Sequence, residues 1–475
     1  MNASTAADSG KQRTLLVSRD VIGDKMAGPG IRYFHLSRIL GQHTDLTLAV
    51  LRQNEQSLAS LQAKLPHVSV IEYKREQWHT IRDAAEAADT IILSPYLAAE
   101  FPQLATLSSA VVIDGYDPLL VEWLTTLPEN DLAQQSAHWR YRMIELFSQF
   151  LMGDFFICAS ERQRHWWLGK LEVAGRINPT TFQTDPSLRS LVDVVPYGLP
   201  EEPARHHKQI IKGVWPGIEP DDIVLLWGGG LWSWLDPLTA VRAVARLHSE
   251  NSRFKLIFPG TRHPNPEMQA MPVHTNDVHA LAQETGLLDK AIFFGEWVPY
   301  DDWPNVLLES DIALSLHHDT VETQLAFRSR ILEYIWAGVP IVATRGDTTS
   351  DLVARYGLGE VVDYESADEV VQAVLRLTDD GAPNYQRGLA TARQELKWEC
   401  TAKQLVRFCQ APRRAADRRE QTSSGVPYYE QPMQQMKQEN QRLQALVQGY
   451  ERGKIMRLLK RLHGWRRRLL STNGS

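Results

Sequence analysis

The tightest constraint in this chain lies in residues 310–349. Residues 311–316 are a short apolar run with the length of a buried strand. A polar loop follows at 317–323, and then a helical pattern over 327–337 that stops at Gly338 and Pro340. Residues 339–343 read as the next strand. A strand, a crossover helix and a second strand in so short a span predict neighbouring parallel strands in a doubly wound α/β sheet. Such sheets bind ligands beyond the carboxyl ends of their strands, and a helix N-terminus there attracts phosphate. Arg328 and Arg330 fall in the first helical turn, where they oppose the helix dipole. An anion held at that point would account for them.

The same alternation runs through most of the chain. Strands are expected at 14–18, 46–50, 68–71, 90–94, 111–114, 155–159 and 191–196, with helices at 31–41, 75–88 and 128–153. Residues 197–218, rich in Pro, Gly, His and Lys, read as an interdomain linker. The alternation then restarts, with strands at 223–227, 254–258, 291–294, 311–316, 339–343 and 359–362. Helices are expected at 237–249, 278–286, 301–308 and 367–378, and one long terminal helix at 383–410. The predicted organisation is a disordered segment 1–13, a Rossmann-like domain 14–200, a second one 201–382 and a helix 383–411 packing back on the first domain. A linker 412–432 and a helical tail 433–475 complete it.

Charge separates the tail from the body. The formal net charge is -6, but residues 411–475 hold 14 Lys and Arg against 5 Asp and Glu, so the tail is +9 and the remainder -15. Met433, Met436, Asn440, Leu443, Val447 and Tyr450 form a short coiled-coil seam with Asn at one core position. Residues 452–468 contain no acid. Eight Lys and Arg there surround Ile455, Leu458, Leu459, Leu462 and Trp465, the pattern of a basic amphipathic helix suited to an anionic membrane surface. Cys158, Cys400 and Cys409 have neither metal-site nor redox spacing, which fits a reducing cytosol. The N-terminus lacks the apolar core of a signal peptide, and no apolar run is long enough to span a bilayer. A cytoplasmic protein, held at the inner face of the cell membrane by its tail, is the expectation.

Two glycine loops and one acidic loop follow strand ends. Gly28-Pro-Gly30 precedes a helix but lacks the full dinucleotide-binding spacing, so a plain NAD enzyme is disfavoured. Arg32 in the next turn could add positive charge. Gly228, Gly229 and Gly230 let backbone N–H groups approach a phosphate. Asp114 and Asp117 close another strand, where paired acids could position an acceptor hydroxyl; an Asp-Gly turn is the structural alternative.

Over roughly residues 14–410 the chain resembles the family 4 glycosyltransferases, the retaining group 1 enzymes of the GT-B fold. The likeness is carried by Leu-Glu-Tyr-Ile-Trp-Ala-Gly-Val-Pro-Ile-Val-Ala-Thr within residues 330–344. Met26-Ala-Gly-Pro-Gly-Ile-Arg32 and Gly228-Gly-Gly-Leu-Trp232 support it. It implies two Rossmann-like domains facing a cleft. A nucleotide-sugar donor binds the second domain, and a glycan or lipid-linked acceptor binds the first, in polysaccharide or glycolipid synthesis.

By that resemblance Glu333 binds the ribose, while Arg328 and Ser329 meet the sugar and diphosphate. Gly28 and Gly30 approach the diphosphate from the opposite domain, and Glu296 and Trp297 frame the base. The family's second acid falls on Leu325 here, so Glu322 is the nearest candidate for the sugar. An Arg and a Lys usually follow the glycine loop, but this chain has neither in residues 231–237. Arg328, Arg330 and Arg262 are the cations that could replace them. Arg328, Glu322 and Asp114 are the candidate catalytic groups. No Asp-x-Asp in a sugar-nucleotide context is present, so neither a metal nor a cofactor beyond the donor is expected. A nucleic-acid partner is not expected either, and the coiled coil allows a homo-oligomer. The alternatives are another GT-B enzyme, such as an epimerase or an inverting transferase, and a non-catalytic relative acting through its coiled coil.

Overall fold

The computed structural model describes residues 10–52, 58–125, 132–264, 274–379 and 385–420, with three further positions in the tail. Seven strands form the first sheet: β1 (Arg13–Ser18), β2 (Asp45–Leu51), β3 (Val68–Tyr73), β4 (Thr90–Leu93), β5 (Ala110–Asp114), β6 (Phe155–Cys158) and β7 (Val192–Val194). Their order is β3-β2-β1-β4-β5-β6-β7, all parallel. Six more form the second: β8 (Ile223–Trp227), β9 (Phe254–Pro259), β10 (Ile292–Gly295), β11 (Ile312–Ser315), β12 (Ile341–Thr344) and β13 (Gly359–Val362). Their order is β10-β9-β8-β11-β12-β13, again parallel.

The expected strands are therefore present, and their burial explains why they were readable. Helices cover both faces of a parallel sheet, so its central strands are apolar throughout rather than alternating. Leu15, Leu16, Ile91, Ile92, Leu225 and Leu226 are completely enclosed, and each such side chain contributes about 1.5–3 kcal/mol of burial. In both sheets the strand order reverses beside the first strand, between β1 and β4 and between β8 and β11. These are the switch points where a crevice opens at the strand ends.

Three expected helices differ. The one at 75–88 is broken into a 3-10 turn, Trp78–Thr80, and a helix Arg82–Ala87. Glu76 adopts φ 58°, a left-handed conformation that no helix interior tolerates. The helix expected from residue 327 begins two residues later, Ser329–Ala337, with Gly338 at φ 82° closing it.

The single terminal helix is three: Gln386–Glu395, Trp398–Thr401 and Lys403–Gln410. Lys397 is extended, because there the chain exchanges backbone hydrogen bonds with Leu199: Leu199 N–H donates to Leu396 O at 2.7 Å and Trp398 N–H to Leu199 O at 3.0 Å. The last helices then pack on the first domain, where Phe408 stacks on Phe155 with centroids 4.7 Å apart.

Trp398 also stacks on His35, and His35 Nε2 lies 2.8 Å from the hydroxyl of Tyr300 in the second domain. Burial lowers the His35 pKa to about 3, so this hinge-side contact is made by a neutral imidazole.

The region expected to be an unstructured linker begins in an ordered form. Arg414 donates to Leu107 O at 2.9 Å, Ala415 N–H to Asp154 at 2.9 Å, and Asp417 pairs with the buried Arg176 at 2.6 Å. The chain divides into two compact units, Met1–Asp417 and Arg418–Ser475. The coiled-coil seam and the basic helix expected in the second unit lie outside the described residues, apart from isolated positions. Among the described residues no helix is long and apolar enough to cross a membrane.

Candidate active site

The ends of the two sheets enclose a cavity of about 360 Å³. Its walls are the segments that leave the strands. Arg19 and Asp20 follow β1, Tyr96 follows β4, and Tyr116 and Asp117 follow β5. Gly228, Gly229 and Gly230 follow β8, and Trp297 follows β10. The N-terminus of the helix Ser329–Ala337 closes one side. The domains meet directly around it. Trp297 Nε1 donates to Met26 O at 3.0 Å, the Tyr116 hydroxyl to Phe327 O at 3.2 Å, and Gln163 Nε2 to Leu325 O at 2.7 Å. Gly28 faces Ser329 closely across the cleft: a Cβ there would stand 2.7 Å from Ser329 Oγ, which would have to rotate away.

Glu333 is the carboxylate the cavity leaves incomplete. Its Oε2 accepts from Trp303 Nε1 at 3.0 Å, while its buried Oε1 makes no well-formed hydrogen bond, the Tyr197 hydroxyl being a neighbour that approaches the carboxylate. Burial raises its pKa to about 7; the Trp303 hydrogen bond and the Arg330 charge act in the opposite direction. Three residues earlier on the same helix face, Arg330 reaches across to the glycine loop. Its Nη2 donates to Gly230 O at 3.4 Å, its guanidinium lies 5.5 Å from the Trp227 ring centre, and its Nη1 has no partner. Enclosure lowers the Arg330 pKa. A half-buried cation and a half-buried carboxylate, each with one buried and unfilled hydrogen-bonding atom, stand beside a glycine turn whose Gly229 has φ 86°.

Arg328 is placed differently from its neighbour. It forms a bidentate pair with Glu322, Nη1–Oε1 2.8 Å and Nη2–Oε2 2.6 Å, and its Nε stands 3.6 Å from Asp347. Its charge is thus shared between two carboxylates, although it still borders the cavity. The sugar-facing position expected for Glu322 is corrected here: the side chain is fully buried, turned to Arg328, and does not line the cavity.

Asp114 is corrected in the same way. It is completely buried and pairs with Arg32 through two hydrogen bonds, 2.8 and 3.1 Å, so it orients Arg32 rather than facing a substrate. Arg32 itself borders the cavity, and its Nη1 has no partner. Gly30 does not reach the cavity: a Cβ there would stand 2.1 Å from Val21 O, so the glycine serves a close backbone approach. Glu296 and Arg262 are exposed and lie outside the lining, where Trp297 and His263 stand instead.

Asp117 does line the cavity, joined by Glu122 from the helix Leu119–Thr125. Burial, reinforced by Asp114 and Asp20, raises the Asp117 pKa to about 8. Burial together with Asp117 raises that of Glu122 well above the carboxylate range. Glu122 and Trp303 escaped the sequence reading, and Trp232 and Trp234 entered it only as the stretch that lacks the family's cations. No spacing marks them; only the strand ends bring them together.

The arrangement predicts a pH dependence. A carboxylate, not a carboxylic acid, accepts two hydroxyl hydrogens. Affinity for a nucleotide sugar, whose diphosphate diester does not titrate in this range, should therefore fall below pH 7, by up to about tenfold per pH unit. Glu333→Gln should flatten the profile. The folding term has the opposite sense: a carboxyl group whose folded pKa is raised supports stability at low pH and loses that contribution as pH rises through 7. Calorimetric titrations between pH 5.5 and 8 check the first statement. A flat wild-type profile would remove Glu333 from the binding contacts.

Residues 217–395 match the model of the glycosyl transferases group 1 family. No curated protein matches the chain in sequence. Solved structures share its fold. HepE of Anabaena, in complex with UDP and glucose, is 14% identical, with 84% of this chain and 100% of that one covered and a TM-score of 0.60. Sucrose-phosphate synthase from Thermosynechococcus elongatus is 15% identical over 84% and 98%, with a TM-score of 0.58. WaaG, a glycosyltransferase involved in lipopolysaccharide biosynthesis, is 14% identical over 84% and 100%, with a TM-score of 0.52. The two parallel sheets are thus the GT-B arrangement that the sequence resemblance implied.

Proposed function

We propose that this protein is a retaining glycosyltransferase that moves a sugar from a nucleotide-sugar donor to a glycan or lipid-linked acceptor. The observation that carries this reading is the pairing of Glu333 and Arg330. The unsatisfied Glu333 Oε1 fits the ribose hydroxyls, and the unsatisfied Arg330 Nη1 beside Gly229 and Gly230 fits the diphosphate. The group 1 match over the second domain supports it. HepE, which shares the fold, has been solved with UDP-glucose, so uridine donors are the first to test.

In the proposed reaction the bond from the anomeric carbon to the diphosphate breaks, and a bond from that carbon to an acceptor oxygen forms on the same face. The acceptor proton leaves with the nucleoside diphosphate. Arg330 and the N–H groups of the glycine loop stabilise the charge that grows on the leaving group. Glu333 holds the nucleoside in register. The donor is a co-substrate, and the proposal requires no further cofactor.

Thermal unfolding in the presence of UDP-, GDP- and dTDP-sugars tests the reading, because a ligand specific to the folded state raises the midpoint. One nucleotide class should stabilise the wild type. Glu333→Ala should weaken its binding by about 1–3 kcal/mol, the worth of a charge-assisted hydrogen bond. Stabilisation by none of the three would point to the non-catalytic alternative.

The basic tail supports a second element of the proposal, attachment to an anionic membrane that carries the acceptor. Each Lys or Arg near such a surface contributes on the order of 1 kcal/mol. A chain truncated after Gln431 should keep donor binding and lose co-sedimentation with phosphatidylglycerol vesicles at moderate salt. Equal sedimentation of both chains would assign the tail to self-assembly.

A further inference from the structure

We infer that Trp232 and Trp234 form a saccharide subsite that takes the acceptor as a neutral sugar, whose hydroxyls meet Asp117 and Glu122. This rests on the glycosyltransferase reading above and specifies its acceptor.

The two indoles directly follow the glycine loop. They stack on one another, centroids 5.3 Å apart and planes 11° from parallel, and both line the cavity. Trp232 Nε1 is close enough to Gly230 to lie 2.9 Å from where a Cβ would be. His263 borders Trp232 on another side, 5.3 Å between centroids. Ser233, between the two tryptophans, places its hydroxyl 3.5 Å from that of Thr125 in the first domain. That contact sets the indoles against the helix Leu119–Thr125, which brings Glu122 and Trp123 to the same cavity. One wall is therefore flat and apolar, and the wall it meets carries carboxyl groups.

A pyranose ring has that duality. Its C–H faces pack on indole surface, and its hydroxyls both donate to and accept from carboxyl groups. The charge of the pocket selects further. Asp20, Asp117 and Glu122 all border it. Of the arginines on this side, Arg142 is bonded to Glu145 at 3.2 Å, and Arg19 lies 5.5 Å from the Tyr96 ring centre. A uronic acid or phosphorylated sugar would have to shed its hydration against indole surface and carboxyl groups that burial keeps protonated, which offer its charge no counter-ion. Arg32 is held by Asp114 at 2.8 Å, and Arg330, to which no carboxylate is bonded, stands at the glycine loop, where the donor is placed.

Immobilised neutral, uronic-acid, sialylated and phosphorylated glycans, probed with the full chain in the presence of UDP, test the inference. The wild type should be retained by neutral glycans. Trp234→Ala and Glu122→Gln should each reduce retention at least tenfold, while stabilisation by UDP stays as in the wild type. If the alanine variant loses cooperative unfolding, Trp234→Leu replaces it with the same expected loss. Retention by anionic glycans, unchanged retention in the variants, or no retention by any glycan would each overturn the inference. Failure of UDP, GDP and dTDP alike to stabilise the wild type would instead count against the donor assignment, and glycan retention would still decide this one.

Discussion

Arg330→Met is expected to lower turnover of a nucleotide sugar by about a hundred- to a thousand-fold, the usual cost of removing a preorganised group that stabilises developing charge. The reason is its position. The guanidinium is enclosed, bonded only to a carbonyl of the glycine loop, and its Nη1 is unused. Negative charge on the diphosphate grows as the glycosidic bond breaks, so the contact strengthens in the transition state. The Michaelis constant should change less than kcat. Steady-state kinetics on the variant check this, and a rise in the Michaelis constant with kcat intact would reduce Arg330 to a ground-state contact.

Arg328→Ala should act chiefly on the fold. The side chain is held by Glu322 and Asp347, both of them buried. Removing it strands Glu322 as an uncompensated buried carboxylate, which costs about 3–5 kcal/mol. Denaturant unfolding should show that loss. The double variant Arg328→Met with Glu322→Leu should recover part of it, since an apolar pair of similar volume removes the Glu322 charge, while Asp347 keeps its hydrogen bonds from Thr349 and Ser350. A single variant as stable as the wild type would show that the pair is open to solvent in solution. On the proposed reading the two arginines, two residues apart, take different parts: Arg328 is held by buried carboxylates, and Arg330 is left for the donor.

That separation was not legible in the sequence, which offered Arg328 as the first choice for the diphosphate. The choice of partner is tertiary: Glu322 reaches Arg328 because the chain turns through the extended Ala326 between two helices. Arg32 and Asp114 meet across 82 positions. By contrast, the parallel strands were legible because both faces are covered and the runs stay apolar. The helix that carries Glu333 was legible because it is amphipathic and ends at Gly338, whose φ is 82°, whereas Glu333 itself was singled out by the family resemblance. The break at Lys397 was hidden because nothing local interrupts the helical pattern; the ladder with Leu199 does. The tryptophans after Gly230 were visible as a departure from the family pattern, yet their stacking toward the first domain depends on the closed cleft.

The central claim is transfer of a sugar from a nucleotide donor in this cleft. Mass analysis of a neutral oligosaccharide mixture incubated with the protein and a UDP-, GDP- or dTDP-sugar tests it most directly, with the nucleoside diphosphate quantified in parallel. Products heavier by one sugar residue, one nucleoside diphosphate released per product, and near-complete loss of both signals in Arg330→Met are expected. Binding of the donor without product or nucleoside diphosphate in any combination would contradict it and leave a sugar-nucleotide binding protein in its place.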